Sequence, residues 1–339
     1  MRERILIVRI GRAFGDYIII SSIFHHLKDL GHEVYFLGGE AAEQLCKNNP
    51  YIDKFILYKE NTVTIDKLEE FIQSIKTAYE CDRVIDFTGS LENSLLRHPN
   101  QPEYNDTKEE RMKTCNKNVY DFAYSWAGYS EIKGRVGELY FDVEEEKKIK
   151  EQIDNIRGKN GFVILWALAG SGGNKAYPYY SAIWNELICK YKNVKIVSVG
   201  DETCRILEVA IKEHSRYIPK SGKWKMIESM IASKYVDLVV CPDTGIHHSA
   251  ICFNTKILCI LGHCTKEHVC KYSKNDYSLE SDTDKAPCSP CFRLVYSPYW
   301  QCSIESETGT PICMTLGQPK ERIIKTICGI IDEAYDKKM

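Results

Sequence analysis

One pattern constrains this 339-residue chain more than any other. A short apolar run, a turn and an amphipathic stretch follow one another, again and again. The first cycle is Arg4-Ile5-Leu6-Ile7-Val8-Arg9-Ile10, the turn Gly11-Arg12-Ala13-Phe14-Gly15-Asp16, and a helical stretch over 17–30 closed by Gly31. A run apolar at nearly every position suits a strand buried on both faces of a parallel sheet. Strands expected at 32–37, 54–58 and 82–87, with a helix over 65–79, continue the alternation. A second set opens with a strand at 162–167 and runs through helix 179–190, strand 194–199 and helices 203–214 and 224–234. Strands at 235–241 and 256–262 follow. Such alternation implies an α/β fold of doubly wound parallel sheets. The length allows two such domains, each with its own core. We place them at 1–155 and 156–318, divided after a charged helix that starts at 143 and runs into Gly158-Lys159-Asn160-Gly161. A helix over 319–339 closes the chain, with Ile323, Ile324, Ile327, Ile330 and Ile331 on one face.

Two segments depart from the alternation. Residues 90–117 are polar and mix Arg97, His98, Lys108, Arg111 and Lys113 with acids. A loop of that length is either disordered or carries substrate contacts. Residues 282–318 show little periodicity and hold Cys288, Cys291, Cys302 and Cys313, spaced as C-x2-C-x10-C-x10-C. Four converging thiolates suit a structural zinc or iron, and no open ligand position for catalysis is expected. The chain has 15 Cys, most of them single residues inside expected helices and strands. Together with the absence of an export signal, this reads as reduced thiols in a cytoplasmic protein. No apolar run is long enough to span a membrane. A net charge of −2 disfavours a broad nucleic-acid footprint.

The stretch most suggestive of chemistry is Val239-Val240-Cys241-Pro242-Asp243-Thr244-Gly245-Ile246-His247-His248-Ser249-Ala250. It reads as a buried strand, a tight turn and a helix start. The unpaired N–H groups at such a start favour a phosphate. Gly245 lets a ligand approach the backbone, and Asp243 or Thr244 would cap the helix. An ordinary capped turn has the same spacing. The turn after the first strand is not Gly-x-Gly-x-x-Gly, so the nucleotide is expected in the second domain.

Asp-Thr-Gly-x-x-His-x-Ala between two strands resembles the signature of the family 9 glycosyltransferases, the heptosyltransferases and their relatives. Gly15-Asp16 at the first helix, Lys175 before Tyr177-Pro178, and Trp184 further along keep the family's order. The resemblance implies a GT-B architecture, two Rossmann-like domains facing across a cleft. It also implies an inverting transfer from a nucleotide-diphosphate sugar, ADP-heptose first and a different nucleotide sugar as the alternative, to a hydroxyl of a glycan or protein. Asp16 then falls at the catalytic-base position, and Lys175 at the leaving diphosphate. Gly15, Glu202, Trp224, Asp243, Thr244, Gly245 and His248 fall in the donor site, with Trp224 against the base and Glu202 near the ribose. The chemistry is consistent. A carboxylate can take the acceptor proton, and a fixed cation stabilises charge growing on the diphosphate. The bland readings are an Asp stabilised by the helix dipole, a solvated Lys and a core Trp. The Cys-rich segment is similar to that of bacterial autotransporter protein heptosyltransferases, whose cysteines hold an iron. No catalytic metal is implied, and a homo-oligomer stays open. Two rivals are a catalytically inactive binding subunit of the same fold and a nucleotide-sugar epimerase. The epimerase would need a dinucleotide fingerprint that the chain lacks.

Overall fold

The computed structural model describes all residues except 1, 61, 89–101, 210, 212–213, 295–301 and 337–339. The chain forms two compact units, 1–94 with 119–142 and 95–118 with 143–339.

In the first unit the order is β1 (Arg4–Arg9), α1 (Phe14–Asp29), β2 (Glu33–Gly38), α2 (Glu40–Cys46), β3 (Lys54–Leu57), α3 (Leu68–Ala78) and β4 (Arg83–Asp86). Helix α4 (Lys108–Cys115) belongs to the second unit, and α5 (Val119–Trp126) returns to the first. The strands are parallel in the order β3-β2-β1-β4. β1 is central because both its faces are apolar: Ile5, Leu6, Ile7 and Val8 are fully buried. Helix α1 presses Tyr17, Ile18, Ile20, Ile23, Phe24 and Leu27 into the same core. Chain direction across the sheet reverses between β1 and β4, so the carboxyl ends of these two strands form the ligand-binding crevice of the unit.

The second unit continues with α6 (Val143–Arg157), β5 (Phe162–Ala167), α7 (Tyr180–Lys190), β6 (Val194–Val199), α8 (Arg205–Val209), β7 (Tyr217–Pro219) and α9 (Met226–Tyr235). Then come β8 (Leu238–Cys241), α10 (Gly245–Cys252), β9 (Ile257–Leu261), α11 (Lys266–Val269), β10 (Leu279–Glu280) and α12 (Lys320–Asp336). Its parallel sheet runs β10-β9-β8-β5-β6-β7. β5 is buried at every position, and Trp166 meets Trp184 of α7 edge to face at 5.6 Å. Ile323, Ile327, Ile330 and Ile331 of α12 are buried in this same core. Order reverses between β5 and β8, which places the second crevice there.

Several boundaries differ from the sequence expectation. The division falls before α6, because Arg157 at its end bonds Asp237 (3.1 Å) and the Tyr235 carbonyl of the second unit. The strand expected from 235 starts at Leu238, since Tyr235 still closes α9. Of the helix expected over 203–214, Arg205–Val209 is helical, and 210 and 212–213 lie outside the described residues. The helix expected from 224 begins at Met226.

The polar segment is the largest difference. Residues 90–101 lie outside the described residues, but the rest is ordered and packed on the second unit. Thr107 and Glu110 form a reciprocal capping box at the start of α4. Asn118 Nδ2 donates to the carbonyls of Glu267 (3.2 Å) and His268 (3.3 Å). Arg293 Nε donates to the Tyr104 carbonyl (3.0 Å), and its guanidinium lies 4.4 Å from the centre of the Tyr104 ring.

Candidate functional site

In the second unit, three loops leave the carboxyl ends of the neighbouring strands β5, β8 and β9. They bring Lys175, Asp243 and His263 together. Lys175 closes a short 3-10 turn, Gly173–Lys175. Gly170 lets this loop fold back, because a Cβ there would lie 2.7 Å from Lys175 Cδ and 3.1 Å from Thr244 Cγ2. Lys175 Nζ lies 2.8 Å from Asp243 Oδ2, and the two side chains are only 7% and 8% exposed. Lys175 is therefore not a solvated surface lysine. Burial works to raise the Asp243 carboxyl, but the Lys175 charge and the imidazoles of His248 and His263 outweigh it. They hold the carboxyl well below the usual carboxylate range. A buried, balanced pair of this kind is costly to break from one side.

Asp243 is consumed by this pairing and does not cap α10. Thr244 takes the N-cap position without a side-chain capping bond, and its buried Oγ1 has no hydrogen-bond partner. Gly245 opens the helix. The first N–H groups of a helix have no partner within it. Polar donors and one buried cation thus gather at the crevice, a set suited to a phosphorylated ligand. His248 Nε2 lies 3.6 Å from Asp243 Oδ1, while His247 directs Nε2 to Cys270 Sγ (3.3 Å).

The crevice of the first unit is built differently. Gly15 and Asp16 sit in the first turn of α1. Asp16 pairs with Arg9, whose side chain is 3% exposed against 18% for Asp16. Arg9 is itself anchored to the Phe87 carbonyl beyond β4 (3.2 Å), and the Tyr17 hydroxyl donates to the Gly11 carbonyl (2.7 Å). The acid is the outer member of its pair.

The sequence profile of glycosyltransferase family 9 (heptosyltransferase) matches residues 69–294. The chain belongs to glycosyltransferase family 9. Among curated proteins none matches it by sequence. Solved structures share its fold along nearly the whole chain. A family 9 glycosyltransferase from Veillonella parvula has 14% identity and a TM-score of 0.68, covering 98% of each chain. The ADP-heptose lipopolysaccharide heptosyltransferase II of E. coli has 12% identity and a TM-score of 0.67, covering 98% of this chain and 99% of its own. The iron-containing dodecameric glycosyltransferase TibC of enterotoxigenic E. coli has 10% identity and a TM-score of 0.62, covering 99% of this chain and 80% of its own.

The other expected residues of this family 9 glycosyltransferase lie in the second unit. Glu202 and Trp224 leave the neighbouring strands β6 and β7, and the Gly222 N–H donates to the Gly200 carbonyl (3.0 Å) to hold the two loops together. Gly222, in the left-handed region at φ +64°, leaves no space for a Cβ beside Glu202. Trp224 is half-buried, with the Lys220 ammonium 5.0 Å from its ring centre. Glu202 is exposed and paired with Arg205. A more buried acid went unnoticed in the sequence. Glu208 accepts from Ser198 Oγ (2.5 Å) and the Ser221 N–H (3.1 Å), tying the same loops.

Cys288, Cys291, Cys302 and Cys313 line one cavity of about 30 Å³, together with Asn174, Gly262 and Arg293. Burial, then the neighbouring cysteines, push the Cys302 thiol up to about 12 and Cys313 well above the usual range. Among the described residues, the groups of three possible ligand atoms within 4.8 Å of one another stand around Asp243, with His263 and Cys264 and with His247 and His248; the four cysteines share a cavity but form no such group. At Asp243 the carboxylate charge is already balanced by Lys175. Arg9, His263 and Glu208 are the residues that sequence reasoning missed. A buried-strand arginine seven residues before Asp16 was the one visible signal.

Proposed function

We propose that this enzyme transfers a heptose from ADP-heptose to a hydroxyl of a glycan or protein acceptor, with inversion at the anomeric carbon. The observation that carries the reading is the buried Lys175–Asp243 pair beside the open start of α10, at the crevice between β5 and β8. Fold relatives include the ADP-heptose heptosyltransferase II and TibC in complex with ADP-D-beta-D-heptose, which makes ADP-heptose the first donor to test.

In this reading Lys175, the Thr244 hydroxyl and the first N–H groups of α10 hold the diphosphate. As the bond between the anomeric carbon and the diphosphate oxygen breaks, negative charge grows on the leaving group, and the fixed ammonium stabilises it. Asp16 accepts the proton of the attacking hydroxyl, whose oxygen bonds the anomeric carbon from the opposite face. Trp224 stacks on the adenine, and Glu202 meets the ribose.

The four-cysteine cavity suits a structural zinc or iron. Its donors are four thiols, and burial followed by the neighbouring cysteines disfavours ionisation of Cys291, Cys302 and Cys313 without a cation. A metal there would supply folding free energy to a segment with little regular structure. Free cysteines and a nucleotide-sugar donor support a cytoplasmic location in this reading.

A donor screen tests the reading. ADP-heptose should be bound and slowly hydrolysed in preference to GDP-, UDP- and dTDP-sugars. Preference for a pyrimidine nucleotide, or no binding of any ADP-sugar, would reject it.

A further inference from the structure

His263 follows β9 in a loop where the sequence pointed to no functional residue. Its backbone is pinned, since the Phe292 N–H donates to its carbonyl at 2.6 Å. The ring is 2% exposed, and Nε2 has no partner at hydrogen-bonding distance. What Nε2 faces is Asp243 Oδ2, at 3.5 Å, the same oxygen that lies 2.8 Å from Lys175 Nζ. On the other carboxylate oxygen stand His248 Nε2 at 3.6 Å and His247 Nδ1 at 4.0 Å. Cys264 also stands beside the carboxylate, and the buried His268 and Cys259 are near enough to feel its charge. A buried nitrogen left without a partner calls for an explanation, and the nearby acceptor supplies one.

We propose that His263 is a positioning residue, whose Nε2–H fixes the Asp243 carboxylate and, through it, the Lys175 ammonium at the start of α10. The inference rests on the reading of Lys175 as the diphosphate-binding group. Burial, the largest influence on the ring, holds His263 below its ordinary value, so it stays neutral at neutral pH. A neutral imidazole has one N–H, and facing a carboxylate requires the proton on Nε2. It can therefore orient Asp243 without upsetting the one-to-one balance of Lys175 and Asp243. A cationic residue here would leave an unmatched buried charge. An ammonium offers three donors. With one directed at a fixed carboxylate, the direction of the others is set as well.

The experiment compares His263→Leu, which keeps bulk and removes the donor, with His263→Gln, which keeps an N–H. ADP affinity is measured by calorimetry across the acid range, with Lys175→Met alongside. His263→Leu should bind ADP about tenfold more weakly, the loss of one charge-assisted hydrogen bond. Its acid limb should also move to higher pH. In the wild type Asp243 stays ionised as pH falls, and without His263 it protonates earlier and releases Lys175. His263→Gln should stay within about twofold of wild type if the N–H is what matters. Equal impairment of both variants would show that only the ring's packing matters and overturn the proposal, as would a leucine variant with wild-type affinity and pH profile. If the leucine chain does not fold, His263→Asn, too short to reach Asp243, takes its place with the same expectation. Unchanged ADP binding in Lys175→Met would instead overturn the reading of Lys175 itself.

Discussion

The two crevices use the same parts and bury them differently. Each lies at the order reversal of a parallel sheet, and each holds one acid and one base from loops and strand ends. In the first unit Arg9 is sunk at the carboxyl end of β1 and Asp16 is the more exposed partner. In the second, Lys175 and Asp243 are equally buried and flanked by three histidines. In the proposed reading the difference separates two tasks. A carboxylate that must take a proton from an incoming hydroxyl has to stand at the surface of its pair. A cation that steadies a leaving group works best in a dry, fixed frame, where charge is worth more than in water.

The sharpest way to break this comparison is on the exposed acid. Asp16→Asn keeps size and removes the proton acceptor, and transfer should fall about 100-fold or more. Near-normal turnover of the purified variant would leave Asp16 a partner of Arg9 and nothing more.

Stability separates the two pairs next. Lys175→Met strands a buried carboxylate and should cost about 3–5 kcal/mol in denaturant unfolding. Asp16→Asn, on the more exposed member, should cost clearly less. Equal losses would mean that burial does not distinguish the crevices.

The pH dependence sharpens the same point. Asp243 has its folded pKa held below the unfolded value near 3.9. Its contribution is therefore fully present above that value and is lost only as pH falls through the lower folded value. Burial is the largest single influence on Asp243 and Lys175 the largest that opposes it, so removing Lys175 lets the folded value rise. Lys175→Met should then lose stability as pH rises from 5 to 7, where the wild type gains no such slope from Asp243. Thermal melts across that interval give the sign directly.

The cysteine cavity lies in the second unit, where Asn174 and Gly262, the neighbours of Lys175 and His263, also line it. Elemental analysis of protein purified without added metal should give about one ion per chain, and Cys288→Ser should lose it. An ion-free wild type with four reactive thiols would remove the metal. A smaller effect is expected at Trp224, where alanine should weaken ADP binding about fivefold, the worth of one stacked ring.

Much of this was legible in the sequence because parallel strands buried on both faces are written as plain apolar runs. β1 and β5 could be read almost residue by residue, and so could the turn at Asp243-Thr244-Gly245. What the sequence hid was partnership. Nothing local marks Asp243 as the counter-ion of Lys175, because 68 positions separate them. His263 lies in a loop with no motif of its own, and only strand order brings it beside Asp243. The polar segment left two readings open for a different reason. Its composition is that of a solvated loop, yet Thr107 and Glu110 form a legible capping box, and Asn116 and Asn118 fasten it to the second unit.

The central claim is that donor binding belongs to the buried pair and proton removal to the exposed one. Calorimetry of ADP with the wild type, Asp16→Asn and Lys175→Ala tests it most directly. Asp16→Asn should bind ADP as the wild type does, and Lys175→Ala should bind it roughly 10–100-fold more weakly, the loss of a charged contact. Wild-type affinity in Lys175→Ala, or a loss confined to Asp16→Asn, would contradict the division.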